Sequence, residues 1–129
     1  MLNYDVELLK RVNAIQFGMS REEVRNIVNR PYKEFKKSKF SRTTTDDFGA
    51  FHVFYNDKNE CEAIEIFEIG EITINGECIN KDDIKAYTML LADIEIENDS
   101  YISKEKSVGI YAPNGKIESV LFAVEKYYI

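Results

Sequence analysis

Gly49-Ala-Phe-His-Val-Phe-Tyr55 and Cys61-Glu-Ala-Ile-Glu-Ile-Phe67, joined by Asn56-Asp-Lys-Asn-Glu60, read as the two arms of an antiparallel hairpin. β-Branched and aromatic residues fill the arms, and turn-forming Asn and Asp fill the connection. A related pattern returns as Gly109-Ile-Tyr-Ala-Pro113, Asn114-Gly-Lys116 and Ile117-Glu-Ser-Val-Leu-Phe122. A shift of sixty positions lays Met19-Ser-Arg-Glu-Glu-Val24 on Ile79-Asn-Lys-Asp-Asp-Ile84, and Gly49 on Gly109. Apolar meets apolar, cap meets cap and acid meets acid, the signature of an internal repeat. The expectation is a single domain over 1–129 made of two repeats, about 1–68 and 69–129.

Outward from the hairpin, Leu8, Leu9, Val12 and Ile15 have helical spacing and predict a helix over 4–15. Ser20 and Glu23 form a capping box for a second helix, with Met19 stapled on Val24 and a stripe of Val24, Ile27 and Val28. Arg30-Pro31 ends it, because the residue before proline avoids helical angles. Residues 32–39 suit an edge segment guarded by lysines, and residues 40–46 an outer strand. Asn75-Gly76 between short β-like runs predicts a tight hairpin with Ile72 opposite Ile79. A third helix is expected to start at the cap Asn80, with Ile84, Tyr87, Leu90 and Leu91 on its apolar face. Strands follow near 94–97, 100–104, 107–112 and 117–127. The fold class expected is α+β, a tandem repeat of helices followed by antiparallel strands, the helices packed on one face of the sheet. Ile64 and Ile66 then face the helices, while Ala63, Glu65, Phe67, Ser119 and Leu121 lie toward the open side.

At 129 residues the chain can bury a core without metals or disulfides. Its apolar runs are far short of a membrane span, and Met-Leu-Asn-Tyr-Asp-Val-Glu lacks the basic flank and apolar core of a signal peptide. A cytoplasmic location is expected, with Cys61 and Cys78 reduced. The net charge of −6 hides an asymmetry: residues 1–42 carry ten Lys and Arg against five acids, and residues 43–129 seven against eighteen. An acidic surface repels nucleic acid and anionic membranes and attracts basic proteins, so a basic protein is the expected partner. The opening basic residues and helices suggest a helix-turn-helix by themselves, but the strongly acidic remainder opposes nucleic-acid binding.

No catalytic or cofactor-binding set is legible. His52 is the single histidine, and a lone strand histidine between apolar neighbours reads as a packed or edge residue. Cys61 lies on the same hairpin, yet the second repeat has Ala112 and Ile117 at the corresponding places, so Cys61 reads as a small core residue. The acid pairs Asp46-Asp47 and Asp82-Asp83 lack metal-ligand spacing, and phosphate-cradling glycine loops are absent. The eight Tyr and eight Phe are more than a core of this size needs. Tyrosine anchors beside acids make a docking surface, because they supply contact area at low entropic cost. Asp46, Asp47, Tyr55, Glu62, Glu65, Phe67, Glu68 and Tyr111 are the candidate partner-binding residues.

At Phe17-Gly-Met-Ser-Arg-Glu-Glu-Val-Arg-Asn-Ile-Val28, followed by strands, the chain resembles the β-lactamase-inhibitor-protein-like fold, shared with outer-membrane assembly lipoproteins. That resemblance implies helix pairs on an antiparallel sheet, in tandem. Cys61-Glu-Ala-Ile-Glu, Gly109-Ile-Tyr-Ala-Pro and Glu118-Ser-Val also look like small cytosolic bacterial proteins that include immunity proteins for secreted toxins. The chain departs from the lipoproteins in having no lipobox cysteine, and from the secreted inhibitor in lacking its paired disulfides. The function expected is an immunity protein that occludes a toxin's active site. The alternative is a sensor module for a small molecule or peptide, and the third reading an enzyme using His52 or Cys61.

Overall fold

Residues 4–15 form strands where a helix was expected: β1 (Tyr4–Glu7), β2 (Arg11–Val12) and β3 (Ile15–Gln16). The computed structural model describes residues 1–129, and in it Leu9 and Asn13 take left-handed backbone angles that break any helix here. Along β1 burial alternates, with Tyr4 and Val6 inside and Asp5 outside. The decisive partner is distant. β1 pairs in parallel with β8 (Ile72–Ile74), setting Tyr4 against Ile72 and Val6 against Ile74. With β9 (Glu77–Ile79) these strands make a five-stranded sheet of order β3-β2-β1-β8-β9. Asn75 and Gly76 both have positive φ, as a two-residue hairpin turn of the primed type requires, and Ile72 stands opposite Ile79.

The large sheet has eight strands. From the first half come β4 (Lys33–Phe35), β5 (Thr45–Asp47), β6 (Phe51–Tyr55) and β7 (Cys61–Ile66). From the second come β10 (Ile94–Glu97), β11 (Ser100–Ser103), β12 (Val108–Tyr111) and β13 (Ser119–Ala123). The order is β10-β11-β12-β13-β7-β6-β5-β4, two meanders joined where β7 pairs antiparallel with β13.

Only two α-helices form, each of eight residues. The first, α1 (Arg21–Val28), has the expected capping box: Ser20 Oγ accepts from the Glu23 amide at 3.2 Å, and Glu23 Oε1 accepts from the Ser20 amide at 3.1 Å. It ends at Asn29 in the left-handed region, two residues before Pro31. Its stripe is narrower than expected, since Val24 is buried but Ile27 is exposed. The second, α2 (Ile84–Leu91), starts after Asp83, whose Oδ1 accepts from the Lys85 amide at 3.0 Å, and not at Asn80.

The expected α+β layering is therefore wrong: the chain is mostly β, with thirteen strands in two sheets. The inner face of the large sheet packs on the small sheet and both helices together. Val6, Ile72 and Ile74 from the small sheet, and Val24, Tyr87 and Leu91 from the helices, share one core with Val53, Ile64, Ile66, Val108, Ile110, Val120 and Phe122. One transverse row on this face runs through every strand: Glu34, Asp46, Val53, Ile64, Phe122, Val108, Ser103, Ile94.

Phe122 lies in the middle of that row and is almost fully buried. Phe122→Ala should lower the unfolding free energy by about 3–5 kcal/mol in urea denaturation. Met89→Ala, at an 83% exposed helix position, should stay within about 0.5 kcal/mol.

Candidate functional site

The outer face of the large sheet carries its own row across all eight strands. It runs Lys33, Asp47, His52, Glu65, Leu121, Gly109, Ile102, Glu95. A second row continues from Ser119 through Tyr111 and Ser100 to Glu97. Alternation along the strands forces this division, because each inward isoleucine or valine leaves its neighbours pointing outward.

Two clusters occupy this face. In the first, the His52 ring lies between Phe35, at 5.2 Å, and Phe67, at 4.5 Å between centroids. His52 Nε2 is 3.3 Å from Asp47 Oδ1, and the carboxylate also accepts from the Gly49 amide at 2.7 Å. Across the strand, Glu65 Oε2 accepts from Ser119 Oγ at 2.8 Å. The second cluster is the C-terminal Tyr127-Tyr128 pair. Tyr127 and Leu121 pack against the small cluster of Phe54, Ala63 and Ala123, and the Tyr127 hydroxyl accepts from Lys37 Nζ at 3.3 Å. The Lys37 ammonium sits 3.7 Å over the Phe54 ring. Tyr128 lies on Gly109, where any Cβ would collide with its hydroxyl. Burial, with Glu62 and Glu65 nearby, pushes the Tyr127 phenol up to about 12.

The eight candidate residues separate into two groups. Asp47, Glu65, Phe67 and Tyr111 share the outer face, with Phe67 40% and Tyr111 43% exposed. Glu62 lies beside them, half-buried, and Glu68 is exposed just beyond β7. Asp46 and Tyr55 are buried and present nothing to a partner. Asp46 accepts from Arg21 Nη1 at 3.0 Å, from Arg25 Nε at 2.9 Å and Nη2 at 2.8 Å, and from the Tyr55 hydroxyl at 2.9 Å. A carboxylate with no solvent exposure is held inside only by such partners, so Asp46 ties α1 to the sheet. The Tyr55 ring also lies 4.1 Å under the Arg21 guanidinium, and burial with the Asp46 bond raises its phenol pKa.

His52 and Cys61 fall on opposite faces. Cys61 is in the core, where burial pushes its thiol up to about 12, and Cys78 is exposed; both are free thiols. The aromatic contacts on His52 and the tyrosine pair on the sheet went unread in the sequence. Gly109 carried a signal for the latter, since a glycine inside a strand often marks the close approach of another group.

An open groove of about 510 Å³ lies between the 36–44 connection and β6, lined by Lys37, Arg42, Thr43, Asn56, Glu60 and Glu62 among others. No helix is long and apolar enough to cross a membrane. No protein-family model, curated protein or solved structure matches this chain.

Removing the Asp46 carboxylate takes the buried partner from both arginines, leaving Arg21 the Thr44 carbonyl and Arg25 Glu34, so Asp46→Ala should cost about 3 kcal/mol of stability. Tyr55→Phe deletes one bond to that carboxylate and should cost about 1.5–3 kcal/mol by the same denaturation measurement. Acid should also be felt at Glu34. Hydrogen bonds from Thr44 Oγ1 and Arg25 hold its carboxyl below the ordinary 4.5. A lowered native pKa contributes stability above 4.5 that is lost as pH falls through the native value. Glu34→Gln should therefore flatten the acid limb of a stability-against-pH curve and leave the neutral limb parallel to that of the unmodified protein.

Proposed function

We propose that this chain is a cytosolic protein-binding protein, an immunity protein that neutralises a cognate basic bacterial toxin by covering its active site with the outer face of the large sheet. The observation that carries the reading is the pattern on that face: Asp47, Glu65, Glu95 and Glu97 spread along a sheet that also exposes Phe67 and Tyr111. A toxin that cleaves nucleic acid must attract a polyanion, and a wide acidic sheet offers the same field at a fixed spacing. Exposed aromatics among the acids supply the apolar anchor that charge alone lacks.

The arginines of the basic N-terminal third support the same reading, because the protein's own acids partly engage them. Arg21 and Arg25 neutralise Asp46, and Arg11 pairs with Asp5. The free thiols of Cys61 and Cys78 suit a reducing compartment.

A second reading rests on the groove beside β6, whose charged and amide lining suits a small polar molecule or a peptide end. Thermal-shift screening separates the two, since a metabolite that stabilises the protein and protects the 36–44 connection favours the sensor.

Co-purification with a toxin domain encoded beside this gene tests the main proposal. The pair should form a stoichiometric complex that abolishes toxin activity. Glu65→Lys combined with Phe67→Ala should weaken it by roughly thirtyfold or more, with Glu77→Lys, at an exposed position of the small sheet, near neutral. A complex indifferent to the first pair would reject this face as the binding surface, and a gene without such a neighbour would reject the immunity role.

A further inference from the structure

We infer that β10 is a strand-addition edge, built to accept an extended segment of the partner that alternates apolar and basic residues. This deepens the reading of an acidic protein-binding surface and rests on it.

β10 ends the large sheet, and no backbone hydrogen bond joins its outer side to any other part of the chain. Its sequence, Ile94-Glu-Ile-Glu97, has no proline and no lysine, two of the usual guards of an open edge. The pleat sorts these residues cleanly. Ile96 ends the inner-face row Phe51, Ile66, Val120, Ile110, Tyr101, Ile96. Every earlier member of that row is packed in or against the core, yet Ile96 is 65% exposed, because nothing follows it. Glu95 and Glu97 end the two outer-face rows. One cation, Lys104, reaches Glu95 at 3.2 Å, and Glu97 has no ion-pair partner. A ninth strand would thus meet an isoleucine side that needs apolar cover and a carboxylate side that needs positive charge.

A second copy of this chain does not fit. Pairing β10 with itself about a two-fold axis keeps each side chain on its own face and sets glutamate against glutamate. Pairing it with the opposite edge, β4, brings Lys33 to the carboxylate side but sets Glu34, already held by Arg25 and Thr44, on the isoleucine side. The fitting occupant is a basic–apolar strand of another protein, with main-chain bonds giving affinity and the alternate side chains giving choice.

The test uses a short peptide alternating valine and lysine, its valine–glutamate counterpart, and amide chemical shifts of the full chain. The valine–lysine peptide should shift and protect the amides of 94–97, while the glutamate peptide binds at least roughly tenfold more weakly. Glu95→Lys with Glu97→Lys, both at exposed positions, should reverse that preference. Shifts confined to residues 47–67 would overturn strand addition and leave acidic docking on the outer face standing. Absence of shifts at either place would overturn both.

Discussion

The pairing of β7 with β13 is the constraint on which the large sheet depends. Without it the chain would hold two four-stranded meanders, each with an open edge of buried-type residues. With it, Ile64 meets Phe122 and Ile66 meets Val120 on the inside, and the rows of the two halves become continuous. The same pairing sets Ala63 opposite Ala123 on the outside. Two methyl groups side by side leave a shallow place in the sheet, and the Tyr127 ring packs there with Phe54 and Leu121. The seam thus shapes the core and also decides how much of the outer face stays open.

Each helix region is fastened to the sheet by a polar group that the inner face would otherwise reject. Asp46 and Ser103 both belong to the eight-strand inner row, near its opposite ends. Asp46 is reached by Arg21 and Arg25 from α1. Ser103 donates to Asp93 Oδ1 at 2.6 Å just beyond α2, and Lys106 Nζ donates to the Leu91 carbonyl at 3.1 Å. Directional bonds of this kind fix where a short helix sits, which one or two apolar residues from eight cannot do. They also redistribute charge. Two N-terminal arginines face inward-directed acid, while Glu95 and Glu97 of the second half face out.

Much of the large sheet was legible because its signals are local. The strands near 51–55, 61–66, 94–97, 100–103 and 108–111, the Asn75-Gly76 turn and the capping box at Ser20 all depend on residues within a few positions of one another. The face assignment of Glu65, Phe67, Ser119 and Leu121 follows from the same alternation. What failed was non-local. Leu8, Leu9, Val12 and Ile15 fit a helical wheel, and only the parallel strand at Ile72–Ile74 makes the extended form the better one. Asp46 and Tyr55 were read as surface anchors because a lone acid gives no hint that two arginines twenty or more residues earlier will bury it. A constant shift of sixty does not hold along the chain: α2 begins 63 residues after α1 (84 against 21), but β11 begins 55 residues after β5 (100 against 45), because the connection 36–44 has nine residues and 98–99 has two.

The parallel contact between β1 and β8 has a further consequence, for the order of events at the ribosome. A parallel pair cannot close through a tight turn, and here the first half of the large sheet lies between its members. Tyr4 and Val6 leave the exit tunnel early and must wait, uncovered, until Ile72 and Ile74 follow. Until then β1, paired only with β2, carries one open edge, and chain growth itself governs how long that hazard lasts.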